Sequence, residues 1–275
     1  HVPYPNPFRP PLGSTAETCG QAVLDHIEGL FVGILPADEV AAIIVEPMQG
    51  EGGYIVPPAD FLPGLRALCD KYGILMIADE VMAGFGRTGR WFAIEHWNVV
   101  PDLITMAKGL TSAYVPLGAV GMRQTIADHF RDKVFYGGLT YGNHPVGCAT
   151  ALATIAVYEE DDLIGNAQRM GELMTGLMRD LSDRHPCVGA VRNIGLFGIV
   201  ELVKDKTTRE PLAPFNGTSP QMQALARELR AGGLFTVVRW NTFFTNPPLC
   251  ITEAELREGF ATIDRALTVV DGMLG

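Results

Sequence analysis

Three short apolar runs, Val40–Val45, Ile74–Ala78 and Leu103–Ala107, mark the first half of the chain, and each stops at a charged residue. Each run is about a strand long and apolar at nearly every position, the texture of strands buried on both faces. Between the first two, Phe61–Tyr72 sets Leu62, Leu65, Leu68 and Cys69 at helical spacing and closes on Gly73. The runs recur at about the 30-residue span of a βαβ unit, so the expected fold is α/β with a mostly parallel sheet.

Glu46 follows the first run, Asp79 the second and Lys108 the third. Open parallel sheets bind ligands at the carboxyl ends of their strands, so these three side chains are expected to share one rim. A single charge there can simply mark where a strand meets solvent. Three in succession, with the lysine set in Ile-Thr-Met-Ala-Lys-Gly, point to a site.

Lys108 is one of five lysines, and the others (Lys71, Lys133, Lys204, Lys206) stand in polar surroundings. Flanked by Ala107 and Gly109, it is expected to be partly desolvated, which favours the neutral amine that a Schiff base needs. Gly109 would let a bound group approach the backbone closely. The competing reading is a lysine reaching from a strand end to water. Asp79 is the matching carboxylate, since a buried acid needs a cation. The ring nitrogen of pyridoxal phosphate is such a cation, and a carboxylate beside it lets the ring accept carbanion electrons.

Gly84-Phe-Gly86-Arg-Thr-Gly89 matches the G-x-G-x-x-G dinucleotide pattern letter by letter. That motif needs its first glycine directly after a strand and a long helix at the third. Here Asp79–Ala83 intervene and only Trp91–Trp97 follows before Pro101, so a nicotinamide enzyme is not expected. Tight turns under a ligand or a partner subunit suit these glycines better. His144, in Gly-Asn-His-Pro, suits a phosphate contact, a subunit contact or, more simply, a turn. No histidine pair has metal-ligand spacing, so no metal is expected.

The first 15 or so residues read as an irregular, proline-rich lead-in. Pro145–Val157 reads as a long, Ala-rich, buried helix. Beyond it the pattern is a helix (Asn166–Arg184), short strands (Cys187–Arg192, Leu196–Val203), a polar loop (Lys204–Ser219), a helix (Pro220–Ala231), an extended stretch and a last helix from Glu253. That texture suggests a smaller α+β domain, with residues 1–160 in a large domain and 161–275 in the small one.

Composition removes other classes. The chain has 275 residues, 47% hydrophobic and 19% charged, which is globular in character. A net charge of −10 argues against nucleic-acid partners, which demand a basic face. No apolar run reaches the ~18 residues of a membrane span, and the opening His-Val-Pro-Tyr-Pro is not built like a signal peptide. Five scattered cysteines read as buried thiols of a reducing cytoplasm.

Longer motifs sharpen this reading. Ile-Val-Glu46-Pro-Met-Gln-Gly-Glu51-Gly-Gly, Ile-Ala-Asp79-Glu-Val81-Met82-Ala-Gly-Phe-Gly-Arg-Thr-Gly and Asp102-Leu-Ile-Thr-Met-Ala-Lys108-Gly resemble the class III (ω-) aminotransferases in order and spacing. Gly137-Gly-Leu-Thr140-Tyr-Gly-Asn-His-Pro and Pro247-Pro-Leu-Cys-Ile-Thr extend the likeness over essentially the whole chain. The resemblance implies a fold-type I enzyme that uses pyridoxal 5′-phosphate and works as a cytoplasmic homodimer with shared active sites. It implies that Lys108 is the Schiff-base lysine and proton carrier and that Asp79 partners the ring nitrogen. Val81 would pack on the ring, Met82 would lie near its phenolic oxygen, and Thr140 would reach the phosphate of the neighbouring subunit's cofactor. Glu46 and Glu51 would line the site.

Two departures from the family pattern stand out. The resemblance places His1–Pro11 in the middle of the large domain, so the chain reads as the C-terminal portion of such an enzyme, without its phosphate cradle and stacking aromatic ring. Phe243-Phe-Thr-Asn246 stands where many members carry a substrate-carboxylate arginine, and Arg239 is the nearest substitute. The implied reaction moves an amino group from an ω-amino acid, taurine or amine to a keto acid such as pyruvate. An aminomutase, a decarboxylase and a non-catalytic fragment stay open as alternatives.

Overall fold

The computed structural model describes residues 1–274 and divides the chain into two compact units, His1–Leu163 and a second that begins at Ile164.

The first unit contains α1 (Cys19–Gly33), β1 (Ala42–Val45), α2 (Phe61–Tyr72), β2 (Leu75–Asp79), β3 (Leu103–Met106), β4 (Ala119–Met122), α3 (Gln124–His129) and α4 (Pro145–Glu160). The sheet order is β1-β2-β3-β4, with β1, β2 and β3 parallel and β4 antiparallel to β3. Gly73, at φ +68°, ends α2 in the left-handed conformation that glycine adopts freely. The core lies on one face of the sheet, where Val45, Met76 and Ala78 pack with Val23, Leu24 and Ile27 of α1 and Leu62, Leu65 and Cys69 of α2.

Two expectations are corrected here. The strands are not buried on both faces: β2 alternates, with Met76 and Ala78 buried and Leu75 exposed, and Ile44 of β1 is 61% exposed. Within this chain the two core helices cover only one face, so the pleat sorts the residues by period two. Nor is α4 buried. Only Gly147, Ala151 and Tyr158 are buried, and Leu152 is 70% exposed. A helix apolar all round needs cover on every side to be buried, and α4 has a narrow contact with the turn Lys108–Leu110.

The second unit holds α5 (Leu163–Arg184), β5 (Val188–Ile194), β6 (Phe197–Asp205), β7 (Glu210–Pro211), α6 (Pro220–Ala231), β8 (Val238–Arg239), β9 (Thr242–Thr245) and α7 (Glu253–Asp271). Its antiparallel sheet runs β5-β6-β9-β8, with β7 on β6. Phe197–Val203 is buried at every position. Ser219 caps α6 through Met222 N–H, and Thr252 with Glu255 forms a capping box on α7. Among the described residues no helix is long and apolar enough to cross a membrane. The expectation of buried thiols holds for Cys19, Cys69 and Cys187 but not for Cys148 and Cys250, which are exposed.

Candidate active site

The register of the parallel strands assembles the rim. Val45 pairs with Ala78, and Asp79 pairs with Thr105. One step beyond Val45, Glu46 falls opposite Asp79, so Glu46, Asp79 and Thr105 share the face that α1 and α2 leave free. The half-buried Glu46 carboxyl lies above the usual carboxylate range, chiefly through burial. Gly50 N–H lowers it, Asp79 and Glu51 raise it, and Lys108 lowers it. Glu46 therefore feels the charges of Asp79, Lys108 and Glu51, which places the sequence-expected acids and lysine in one field.

Lys108 itself corrects the expectation of partial desolvation, because it is exposed. β3 ends at Met106, and Lys108 opens a short 3-10 turn, Lys108–Leu110, beyond the cover of neighbouring strands. Its backbone has φ +40°, and Ser112 and Ala113 are also left-handed at +50° and +63°. A side chain held there costs on the order of 1–2 kcal/mol, and such strain collects at functional sites. A Cβ on Gly109 would come within 2.7 Å of Phe85 Cβ, so the glycine allows a close approach by the protein itself.

Asp79 is half-buried, and its Oδ1 accepts the N–H of Val81 at 3.1 Å. Met82 folds back over Gly50: a Cβ on Gly50 would meet Met82 Sδ at 2.5 Å and Glu46 Oε2 at 3.1 Å. Gly50 N–H donates to Glu46 Oε2 at 2.7 Å, which fixes the carboxylate. Tyr4 O–H, from the N-terminal lead-in, bridges the carbonyls of Glu46 and Pro47 at 3.0 and 3.1 Å.

Glu51 is exposed, and Thr140 is exposed at the head of a turn. Arg239 belongs to the second unit, where its guanidinium lies 4.1 Å from the centroid of the Trp240 ring. His144 caps α4 by accepting Val146 N–H, the turn role. The Gly84–Gly89 loop is a tight turn, with Phe85, Gly86 and Gly89 all left-handed.

The donor set fits pyridoxal phosphate at its ring and aldehyde ends. A carboxylate oriented at a strand end suits a pyridinium nitrogen, and an exposed primary amine suits an aldehyde. Thr105 Oγ1, on the position paired with Asp79, is buried and has no hydrogen-bond partner among the described residues.

Two supports escaped the sequence reading. Tyr4 carries no local signal. Glu80 does, because alternation puts it on the core face with Met76 and Ala78, where an acid needs partners.

The family model for class-III aminotransferases matches residues 1–267. Taurine–pyruvate aminotransferase of Bilophila wadsworthia is 37% identical over 276 residues, covering 98% of this chain and 60% of that protein. Leucine/methionine racemase of Thermococcus litoralis is 35% identical, covering 100% of this chain and 60% of the racemase. The crystal structure of taurine:2-oxoglutarate aminotransferase from Bifidobacterium kashiwanohense, in complex with PLP and glutamate, is 41% identical with a TM-score of 0.89, over 94% of this chain and 58% of that one. The chain thus spans about 60% of the length of the curated relatives it matches, and its fold is that of fold-type I transaminases. The chain belongs to the class-III aminotransferase family.

Proposed function

We propose that this chain carries the reactive lysine of a pyridoxal-phosphate-dependent transaminase that moves an amino group from an ω-amino acid, taurine or a simple amine to a keto acid such as pyruvate. The observation that carries the reading is the convergence of Glu46, Asp79 and Lys108 on one rim, with Lys108 on a strained turn. When bound, the cofactor supplies an aldehyde that condenses with amines and a ring that accepts electrons from the substrate carbon that bears the amine. Asp79 holds a proton at the ring nitrogen. Lys108 Nζ would hold the cofactor at its aldehyde end and would act as the base that takes up and returns the proton of the amine-bearing substrate carbon. Val81 would pack on the ring and Met82 would lie near its oxygen-bearing edge. Glu46 and Glu51 take part in holding substrate.

Residues 1–160 act as part of the cofactor-binding domain and 161–275 as the small domain. The enzyme works as a homodimer, with Thr140 reaching the phosphate bound by the other subunit. Exposed Tyr136, Leu139 and Tyr141 beside Thr140 support a covered surface there. Five free thiols support a cytoplasmic site.

The test offers the full-length natural polypeptide taurine, diamines and ω-amino acids with pyruvate or 2-oxoglutarate and quantifies the amino acid formed. Stoichiometric amino acid with one donor class supports the reading; none with any donor sinks it. The racemase relative favours a second reading, inversion at an α-carbon, which shows as loss of optical rotation with no keto acid added.

A further inference from the structure

Glu80 is fully buried on the core face, yet both of its carboxylate oxygens are bonded. Oε1 accepts Ile94 N–H at 2.7 Å and Oε2 accepts Ala93 N–H at 3.0 Å. Its backbone N–H donates to Thr105 O at 3.0 Å, extending the β2–β3 ladder one step past Asp79. Its carbonyl accepts Gly84 N–H at 3.0 Å, and a Cβ on Gly84 would come within 2.8 Å of that oxygen. The segment so anchored doubles back on itself, with Phe85 N–H on Trp91 O and Gly86 N–H on Arg90 O. Phe85 meets Phe92 edge to face and stacks on Tyr158. The same Phe85 limits the space at Gly109, whose carbonyl accepts Tyr158 O–H at 2.9 Å.

We propose that Glu80 is a positioning residue: its carboxylate pins the Ala93–Ile94 backbone, and through Phe85 and Tyr158 sets the turn that carries Lys108 while fixing the strand end that carries Asp79. The inference rests on the roles proposed above for Lys108 and Asp79. Every contact in the chain of support lies within the first unit. A carboxylate that served only to fill the core would be poorly placed, since an apolar side chain fills the same space without desolvating a charge.

Burial lifts the Glu80 carboxyl to about 7; the N–H groups of Ile94 and Ala93 pull it down, while Glu95 and Asp79 push it up. Ionised, it accepts both N–H groups as charge-assisted bonds. Protonated, it accepts them more weakly, so the clamp loosens below neutral pH.

The test uses the full-length natural polypeptide with Glu80→Gln, Ala93→Pro and a control, Asp102→Asn, at the far end of the sheet. Ala93 opens the 3-10 turn Ala93–Trp97 and follows Phe92 at ψ 142°, a setting that accepts proline while deleting one N–H donor to Glu80. The first readout is hydrogen-exchange protection of the Leu110 and Thr111 amides, which bond Ala107 O and Lys108 O, without cofactor. The second is the pH midpoint of the visible band after adding pyridoxal phosphate. Glu80→Gln and Ala93→Pro are expected to lower protection roughly tenfold and to move the midpoint. Asp102→Asn, even with a comparable loss in Tm, should do neither. Unchanged protection and midpoint in the first two, or equal changes in the control, overturn the proposal. Should neither variant fold, the wild-type protein decides: protection at Leu110 and Thr111 that weakens below pH 7 supports the clamp, and a flat profile overturns it. A wild-type protein with no visible band refutes the cofactor reading instead, and exchange still decides the role of Glu80.

Discussion

The two ends of the β1–β4 sheet carry charge in opposite ways. At the amino end, Asp102 meets Arg66 at 2.6 Å, Met76 N–H at 2.8 Å and Arg123 at 3.4 Å, and Arg66 also pairs with Asp70. Burial works against the Asp102 charge, but the Met76 N–H, Arg66 and Arg123 outweigh it and hold the carboxyl below the usual range. At the carboxyl end, Glu46 feels Asp79, Glu51 and a single lysine, Lys108, and burial pushes it up. The first arrangement ties α2, β2, β3 and β4 together. The second sets three acids against one base, an imbalance that does not help folding and suits a ligand that brings its own charges.

The comparison breaks most sharply at Lys108. Lys108→Ala should cut turnover at least ~10³-fold while leaving Tm unchanged, because an exposed side chain on a turn contributes chemistry and not packing. Amino transfer measured on protein freed of contaminating transaminase checks it. Asp79→Asn comes next. The amide cannot hold a proton at the ring nitrogen, so turnover should fall roughly 10²- to 10³-fold with cofactor still bound; single-turnover absorbance records both quantities.

Asp102→Asn should do the reverse. It strips the counter-charge from Arg66 and Arg123 and should lower stability by about 2–3 kcal/mol, less than the ~3–5 of a fully buried broken pair, with turnover per folded molecule intact. Its pH signature has a definite sign. Asp102 titrates lower when folded than when unfolded, so its stabilisation is present above the unfolded value near ~4 and lost as pH falls through the folded one. Acid unfolding of Asp102→Asn should therefore be flatter than that of wild type. Glu46→Gln is the smallest effect. Glu46 titrates higher when folded, so its charge opposes folding once pH rises above the unfolded value. The variant should be as stable as wild type or slightly more so at pH 8, within about 1 kcal/mol because the group is partly solvated, and the difference should vanish near pH 4. Urea midpoints at the two pH values measure it.

The parallel strands and their terminal charges were legible because both lie on the chain itself: an apolar run, then Glu46, Asp79 or Lys108. What is placed by distant packing was not. No element is expected from the pattern at α1, where Val23, Leu24 and Ile27 share their helix with three glycines, nor at β4, whose alternation of small and large residues is only four positions long. The exposure of Lys108 follows from the strand ending at Met106, one residue before the end of the apolar run and two before the lysine, and boundaries are the least certain part of a pattern. Thr140 and Arg239 came from resemblance, and Tyr4, 42 residues from the Glu46 carbonyl it holds, had no signal in the chain.

The central claim is that one amine among five is set apart by the fold. Borohydride reduction of the full-length natural polypeptide in the presence of pyridoxal phosphate, followed by proteolysis and mass spectrometry, tests it directly. The account predicts a pyridoxyl group on Lys108 at stoichiometric yield, with Lys71, Lys133, Lys204 and Lys206 unlabelled. Label spread evenly over the exposed lysines, or absent from Lys108, would contradict it.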